Sequence, residues 1–381
     1  MKKMELPELR TNPSGPTWGK LPLWLLSVAA LVSFALPVSA KIVGLDVMPA
    51  NVYVGGDISR VMALNPSDPN YFGNLVTTVA GIYDDIVDSD PPARLHALAK
   101  EIVKRRPDIV AVMEASLIRV QSPGDLAVGG TTPATEVVYD YLQILVTELE
   151  ALGAHYQVVS TANEVDVELP MLDSASGRID DVRLSDREAI LVRSDLSRDQ
   201  LRVSNPRSGN FANVIEIPAL GLAVERGWCS VDVAMSNRNF RFVCAHLEQE
   251  TAPQLQALQV EELLAGPAKP RYQVILVGDF NTDALHRDGS FAYDLIPAAG
   301  FTDAWAKLHP KTPAGGLTWG HDAWLADATT LFDRRIDFVF SHGKNLVPVQ
   351  ADVVDIATGL TEPPFWASDH AALSVKFKLK K

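Results

Sequence analysis

The chain has 381 residues, of which 47% are hydrophobic and 21% charged, and this is the composition of a folded globular protein. A disordered tail, a coiled coil and a collagen-like rod are therefore excluded. The formal charge of −13 at pH 7 argues against a protein that coats nucleic acid by bulk electrostatic attraction. The two cysteines are too few for a disulfide-rich scaffold or a four-cysteine zinc site.

Residues 1–40 have the pattern of an export signal. Four basic residues precede an apolar run over residues 21–37, and Val38-Ser39-Ala40 follows it. This order predicts a signal peptide cleaved after Ala40, and hence a secreted or periplasmic protein. A retained N-terminal membrane anchor is the alternative. Cleavage would remove four basic and two acidic residues, which changes the formal charge from −13 to −15.

Helices and buried strands alternate in the first half of the mature chain. The segment Asp90-Pro91-Pro92 followed by apolar residues at helical spacing predicts a helix. Residues 108–113 form a continuous apolar run, which is typical of a strand covered on both faces. Helical spacing returns over residues 138–152 and ends before Gly153.

Two strand-like runs over residues 228–235 and 240–246 carry the two cysteines, Cys229 and Cys244. A short loop between these runs predicts a hairpin that places both sulfurs on adjacent strands. An exported protein could form a disulfide there, but the bridge depends on a strand register that the sequence does not determine. Two buried free thiols are the equal alternative.

The second half continues with a helix from about Thr251 to Gly266 and apolar strands over residues 272–277 and 336–340. Apolar and polar residues alternate over residues 373–380, which predicts a strand with one exposed face. Residues 121–135, 172–181, 204–210, 310–316 and 357–368 are rich in turn-forming residues and are predicted to be loops. Since no linker divides residues 41–381, we expect one domain, built from two packed sheets with helices outside.

Polar side chains stand where the apolar strands stop. Glu114 and His246 each follow such a strand, Asp279 and Asn281 follow a third, and Asp369-His370 precede the last. Any one of them alone has a structural explanation as a cap or turn residue. Together they offer carboxylate and amide oxygens that suit Mg²⁺ or Mn²⁺, with carboxylate and imidazole groups for proton transfer.

These segments resemble the endonuclease/exonuclease/phosphatase superfamily, which has a deoxyribonuclease-like fold and includes neutral sphingomyelinases. The resemblance runs in the family's order through seven segments: 51–57 (NVYVGGD), 107–114 (PDIVAVME), 185–190 (SDREAI), 245–248 (AHLE), 277–281 (VGDFN), 335–339 (RIDFV) and 368–370 (SDH). It implies an α+β fold, a four-layer sandwich in which two mixed β-sheets are flanked by helices. It also implies a phosphoester hydrolase that requires Mg²⁺ or Mn²⁺.

The resemblance further implies roles for individual residues. Metal ligands would be Asn51, Glu114 and Asp369. Asp279 would orient or deprotonate the attacking water, and Asn281 would fix it. His370, oriented by Asp337, would contact the scissile phosphate, with His246 opposite as a proton donor or phosphate ligand. Arg187 would contact the substrate, although a surface salt bridge explains it equally well.

The catalytic set gives the reaction class but not the substrate. An exported protein would meet phospholipid head groups or nucleic acids, and the negative charge favours a phospholipid or another small phosphodiester over DNA or RNA. Trp319, Trp324 and Phe365-Trp366 could form an apolar rim for a lipid interface, or could be ordinary packing residues. A non-catalytic binding scaffold is a further alternative, which the full set of polar residues disfavours. We expect a monomer without an obligate protein partner.

Overall fold

The computed structural model describes residues 44–380 except 218–220 and 313–314. All of the described residues belong to one compact unit. The predicted export signal and its cleavage point lie outside the described residues. None of the helices in the described part of the chain is long and apolar enough to cross a bilayer.

The first sheet, sheet A, has eight strands. Seven follow the order β15-β16-β1-β2-β6-β3-β4, and β5 also pairs with β6. β1 and β2 run parallel, whereas the other pairs are antiparallel, so the sheet is mixed. The strands are β1 (Gly44–Asn51), β2 (Ile109–Met113), β3 (Leu117–Gln121), β4 (Glu136–Asp140), β5 (Tyr156–Asp173), β6 (Arg178–Arg193), β15 (Leu346–Val354) and β16 (Ala372–Leu379).

The second sheet, sheet B, has six strands in the order β13-β14-β12-β11-β10-β7. Its one parallel pair is β11 with β12. The strands are β7 (Arg202–Asn210), β10 (Gly227–Met235), β11 (Arg238–His246), β12 (Val274–Asp279), β13 (Thr302–Asp303) and β14 (Asp337–His342). A separate hairpin consists of β8 (Ile215–Ile217) and β9 (Leu222–Val224).

Seven α-helices and one 3₁₀-helix occur in the described part of the chain. They are α1 (Ser59–Met62), α2 (Tyr71–Asp88), α3 (Pro91–Arg105), η1 (Leu126–Val128), α4 (Tyr141–Ala151), α5 (Pro253–Ala265), α6 (Ala292–Ala298) and α7 (Ala304–Leu308). Asp90 caps α3 by accepting a hydrogen bond from the Ala93 N–H, and prolines fill the first turn, where their missing N–H groups cost nothing.

The core lies in three layers between the four layers of secondary structure. The central layer joins the inner faces of the two sheets, with Val47 and Ile190 from sheet A against Phe242 and Val339 from sheet B. A second layer packs α3 and α4 on sheet A, and a third packs α5 and α6 on sheet B. This is the predicted α+β four-layer sandwich of two mixed sheets flanked by helices, and the fold prediction is confirmed.

The predictions for individual helices, strands and loops were correct only in part. The three predicted helices correspond to α3, α4 and α5, but residues 138–140 belong to β4 rather than to the helix that follows. The predicted loop 204–210 is wrong, because those residues form most of edge strand β7. Along β16 the two faces differ only from Val375 onward, since Ser374 is buried as well.

The cysteine hairpin is present, and its register places Cys229 directly opposite Cys244. Both are buried free thiols. Burial raises the pKa of the Cys244 thiol well above its usual range, so the thiol stays protonated. The structure therefore has two free thiols rather than a disulfide.

Strand register aligns three polar residues in sheet B. His246 on β11 is paired with Asp279 on β12, and Asp279 is paired with Asp337 on β14. We call this row of paired residues the polar rung. In sheet A, Asn51 ends β1 beside Met113, which immediately precedes Glu114. The two sheets therefore bring their polar strand ends to the same edge of the sandwich.

Candidate active site

A cavity of about 390 Å³ opens at the edge of the sandwich where the polar strand ends meet. Of the residues predicted from the sequence, those that line it are Glu114, His246, Asp279, Asn281, Asp369 and His370. Asn51 and Asp337 lie directly beneath these side chains and are almost fully buried. Residues predicted from six separate segments thus form one site.

Asn51 connects the two carboxylates of the site. Its Nδ2 donates to Glu114 Oε1 at 2.9 Å and to Asp279 Oδ2 at 3.0 Å. Its Oδ1 accepts a hydrogen bond from the Tyr53 N–H at 2.9 Å, and since a backbone N–H can only donate, this contact fixes the orientation of the amide. In this arrangement Asn51 holds the two carboxylates, and its oxygen is not turned toward them as the predicted metal-ligand role requires.

Backbone strain is concentrated at the same positions. Tyr53, Glu114 and Asn281 all have positive φ angles, of 55°, 58° and 48°, in the left-handed region that non-glycine residues seldom occupy. Glu114 Oε2 accepts a hydrogen bond from the Val54 N–H at 2.9 Å, which helps to fix the carboxylate. Such conformations persist where the surrounding structure enforces them, and they are typical of functional sites.

His370 is held by a buried carboxylate. Its Nδ1 lies 2.9 Å from Asp337 Oδ2, so its Nε2 is turned toward Asp279, 3.6 Å from Oδ2. Burial by itself would lower the pKa of His370, but the charges of Asp337, Asp369 and Asp279 together raise it well above its usual value. His370 is therefore a cation near neutral pH and is suited to contact a phosphate oxygen.

His246 has the opposite electrostatic environment. Burial, and then the charges of Arg226 and His370, lower its pKa well below the usual value, so this imidazole is neutral. Its Nε2 lies 3.6 Å from Asp279 Oδ2 and 3.2 Å from Asn281 Nδ2. A neutral imidazole can bind a metal, accept a proton or donate its one N–H to a phosphate oxygen, so of the two predicted roles it suits the phosphate ligand better than the proton donor.

Asp279 stands at the centre of the site. Burial and the charge of Asp337 raise its pKa to about 7, so it can exchange a proton near neutral pH. Its Oδ1 accepts a hydrogen bond from the Asn281 N–H at 2.9 Å. Burial also raises the pKa of Asp369, to about 6, and the indole N–H of Trp319 donates to its Oδ2 at 3.2 Å.

The donor set fits a divalent cation. Ligand atoms of Glu114, His246 and Asp279 lie within 4.8 Å of one another, and so do those of Asp279, Asp337 and His370. Buried carboxylates whose pKa values are raised indicate uncompensated negative charge, which a hard cation would neutralise. Oxygen donors predominate, which suits Mg²⁺ or Mn²⁺. Asp369 belongs to neither group, so its predicted role as a metal ligand gains no support from these distances.

Arg187 does not line the cavity. Its Nε donates to the Ala115 carbonyl at 2.8 Å, and its Nη2 donates to Asp140 Oδ1 at 2.6 Å. Its own carbonyl accepts from the Ala115 N–H. Arg187 therefore braces the segment that follows Glu114, and its ion pair with the partly exposed Asp140 matches the salt-bridge alternative rather than the substrate contact.

Arg94 and Arg226 are two arginines that sequence reasoning missed. Arg94 is 1% exposed and donates to the carbonyls of Val52, Tyr53 and Ala367, so it ties the segment after Asn51 to the segment before Asp369. No sequence pattern indicates this role, because the residue lies on a helix and acts through backbone groups that are far away in the chain.

Arg226 lines the cavity beside His246, with its Nη1 3.1 Å from the imidazole Nδ1. Its charge lies among the carboxylates of Glu164, Asp186 and Glu248, each within 4 Å. Arg226 immediately precedes Gly227, which is paired with His246 in the cysteine hairpin. The predicted hairpin, with this register, would have placed Arg226 beside His246. It is the cation on the His246 side of the site.

The predicted aromatic rim is only partly formed. Trp319 lines the cavity but is held by its bond to Asp369, and the Arg334 guanidinium lies 3.9 Å from the centre of its ring. Trp366 stacks on His321 and donates to the Asp327 carbonyl, which makes it a packing residue. Trp324, at 64% exposure, is open to solvent.

Residues 79–370 match the model of the Endonuclease/Exonuclease/phosphatase family. The chain belongs to this family. Members of the family are metal-dependent phosphoesterases and nucleases. No curated protein sequence matches the chain significantly.

Solved structures of two family proteins show the same fold. An endonuclease/exonuclease/phosphatase family protein from Leptotrichia buccalis C-1013-b is 15% identical, with a TM-score of 0.53 over 88% of this chain and 100% of that one. A family protein from Bacteroides thetaiotaomicron is 15% identical, with a TM-score of 0.50 over 89% of this chain and 98% of that one. D. rerio TDP2, solved with a single strand DNA product, is 16% identical, with a TM-score of 0.46 over 88% and 98%.

Proposed function

We propose that this protein is an exported phosphodiesterase that uses Mg²⁺ or Mn²⁺ and hydrolyses a phospholipid or another small phosphodiester. The observation that carries the reaction is the polar rung, where a neutral histidine, a proton-accepting carboxylate and the Asp337–His370 pair stand side by side at the cavity floor. Family membership supports phosphoester chemistry, and the residue order of the first forty positions supports export.

Each residue of the site has a separate role in hydrolysis. Asp279 accepts the proton of a water molecule whose oxygen adds to phosphorus, while the bond from phosphorus to one alcohol oxygen breaks and that alcohol takes up a proton. His370 offers positive charge to the phosphate oxygens, and Arg226, paired with three carboxylates, helps to keep His246 neutral. Asn51 holds Asp279 and Glu114 in fixed orientations.

Glu114, Asp279 and His246 would hold the cation. When bound, the cation neutralises phosphate oxygens and stabilises the leaving oxygen. The carboxylates of Glu114 and Asp279 make the site suitable for it, since a cation would stabilise the charged form of Asp279 that burial disfavours.

The acidity of the chain supports a small or lipidic substrate. A formal charge of −13, or −15 without the first forty residues, weakens the long-range attraction of a polyanion such as DNA or RNA. A secreted nuclease is the second candidate function, and the experiment below separates the two.

The test is a substrate panel with purified protein and Mg²⁺, Mn²⁺ or EDTA. The panel contains bis-p-nitrophenyl phosphate, sphingomyelin vesicles and plasmid DNA, and the variants are Asp279→Asn and His370→Asn, with the exposed Asp294→Asn as the matched control. We expect metal-dependent hydrolysis that both site variants lose and the control keeps. Preference for plasmid DNA would favour the nuclease, and the absence of hydrolysis with every metal and substrate would contradict the proposal.

A further inference from the structure

A second, apolar cavity of about 280 Å³ adjoins the catalytic cavity. Its walls come from α1 and α2 on one side, β5 and β6 on another, and the β8–β9 hairpin on a third. Apolar side chains from these elements include Val79, Ile82, Val167, Val182, Ile217 and Leu222. We call this cavity the apolar groove.

The apolar groove and the catalytic cavity share part of their lining. Ile58, Val165, Leu184 and Val224 face both, together with Arg226 and Gln249. A ligand can therefore extend from the polar rung into the groove without leaving the protein surface. The groove is a continuation of the catalytic site.

Charge within the groove is restricted to one pair of residues, Arg226 and Glu248. Arg226 also contacts His246 of the catalytic site, so the groove carries its positive charge at the side of the phosphate position. Apart from Tyr83, Gln249 and Thr251, the remaining walls are aliphatic. A ligand that matches both parts is amphiphilic, with a phosphodiester in the catalytic cavity and a hydrocarbon tail in the groove.

A cavity of this size and polarity is a binding feature. Apolar cavities that stay empty of water accept apolar ligands, and apolar lining with a few placed polar groups is typical of small-molecule sites. A nucleic acid would gain little from these mainly aliphatic walls, because its bases are recognised by stacking on aromatic or guanidinium planes, and the groove is lined by a single aromatic ring, Tyr83, and a single guanidinium, Arg226.

We propose that the apolar groove binds one acyl chain of a phospholipid whose phosphate lies at the polar rung. This inference rests on the proposed function and narrows its substrate to lipids with a hydrocarbon chain on or near the phosphate. The groove then determines which hydrocarbon chains of the substrate are preferred, whereas the catalytic cavity determines the reaction.

The experiment uses alkylphosphocholines with hexyl, octyl, decyl and dodecyl chains as monomers, with hydrolysis followed by ³¹P NMR. The head group and the reacting bonds stay constant, so only burial of the chain changes. Each methylene that enters the groove should raise kcat/KM by about fourfold, or roughly 15-fold from hexyl to octyl, until the groove is full. Hydrolysis that does not depend on chain length would overturn the proposal.

Val167→Trp places an indole inside the groove, and Val349→Trp makes the same change on an exposed part of β15. We expect the ratio of dodecyl to hexyl kcat/KM to fall toward one in the first variant and to stay unchanged in the second. Thermal unfolding of both variants shows whether each is folded. Equal ratios in the two folded variants would contradict the assignment.

A binding measurement separates this inference from the proposed function. Dodecylphosphocholine is titrated into the full chain in EDTA by calorimetry, with phosphocholine as the comparison that lacks a chain. Binding of the first at much lower concentration than the second supports the groove even if no phosphodiester is ever hydrolysed. If dodecylphosphocholine does not bind, or if it binds folded Val167→Trp as tightly as the unmodified chain, the proposal is wrong.

Discussion

The pair formed by Asp337 and His370 gives the sharpest test of the site's electrostatics. The two side chains lie 2.9 Å apart and are 3% and 6% exposed, so water does not screen their interaction. A hydrogen bond to a charged group contributes about 1.5–3 kcal/mol, and a neutral one about 0.5–1.5 kcal/mol. Asp337→Asn keeps an acceptor but removes the charge, whereas Asp337→Ala removes both.

These magnitudes predict a graded loss of activity. At about 1.4 kcal/mol per tenfold change in rate, kcat/KM should fall roughly 5- to 15-fold for Asp337→Asn and roughly 10- to 150-fold for Asp337→Ala. Steady-state hydrolysis of bis-p-nitrophenyl phosphate measures both values. Asp294→Asn, on an exposed helical residue, serves as the control for loss of a carboxylate elsewhere.

The pH dependence gives an independent check of the same pair. The carboxylates around His370 raise its pKa, so the protonated form persists through neutral pH and is lost as the pH rises through that raised pKa. Removing the charge of Asp337 lowers the pKa, and activity should therefore decline at lower pH in Asp337→Asn than in the unmodified protein. If the alkaline limb stays in place and both variants keep kcat/KM within about twofold, the assigned role of the pair is refuted.

Three further variants test the metal, the scaffold and the strand geometry. Glu114→Gln should weaken Mn²⁺ binding by at least about tenfold in calorimetry, while the exposed Glu150→Gln leaves it unchanged. Arg94→Met leaves several buried carbonyls without a donor. It should lower the free energy of unfolding, measured in urea, by about 3 kcal/mol. A loss below about 1 kcal/mol would show that Arg94 does not hold the two segments together. Gly278 has a φ of +145°, and an added Cβ would lie 1.8 Å from the Ala245 carbonyl oxygen. Gly278→Ala should therefore abolish activity and reduce the yield of soluble protein. An active, stable variant would show that β12 can shift.

The sequence was most informative where one residue's chemistry coincided with the end of a buried strand. Val274–Asp279 is apolar until its last two positions, so the pattern predicted both the strand and the place of Asp279. Glu114 and His246 were predicted in the same way, as polar residues that follow apolar strands. Parallel pairing of β1 with β2 and of β11 with β12 brings such ends to one edge, whereas Asp337, at the start of antiparallel β14, was assigned to the site through the family resemblance.

Other features depend on contacts that no local pattern encodes. Residues 204–210 contain Asn, Pro, Ser and Gly and resemble a loop, yet they pair with β10 as an edge strand, where sequence constraints are weak. The amide orientation of Asn51 depends on a hydrogen bond from the Tyr53 backbone N–H, which no sequence pattern indicates. The apolar groove arises from three distant segments, and each of them looks like ordinary core in the sequence.

The polar rung also limits how this enzyme can change. Its three side chains share one face of sheet B because three strands keep one register, and a single inserted residue within β12 would turn Asp279 to the opposite face. The same slip would exchange Ile275 and Val277, which pack between the sheets, with Val274 and Leu276, which pack against the helices. A chain that loses the geometry of catalysis therefore also loses the packing of two core layers. Insertions between strands carry no such penalty. Variation in this protein should therefore accumulate in the connections around the cavity, where it alters which phosphoester enters without altering how it is cleaved.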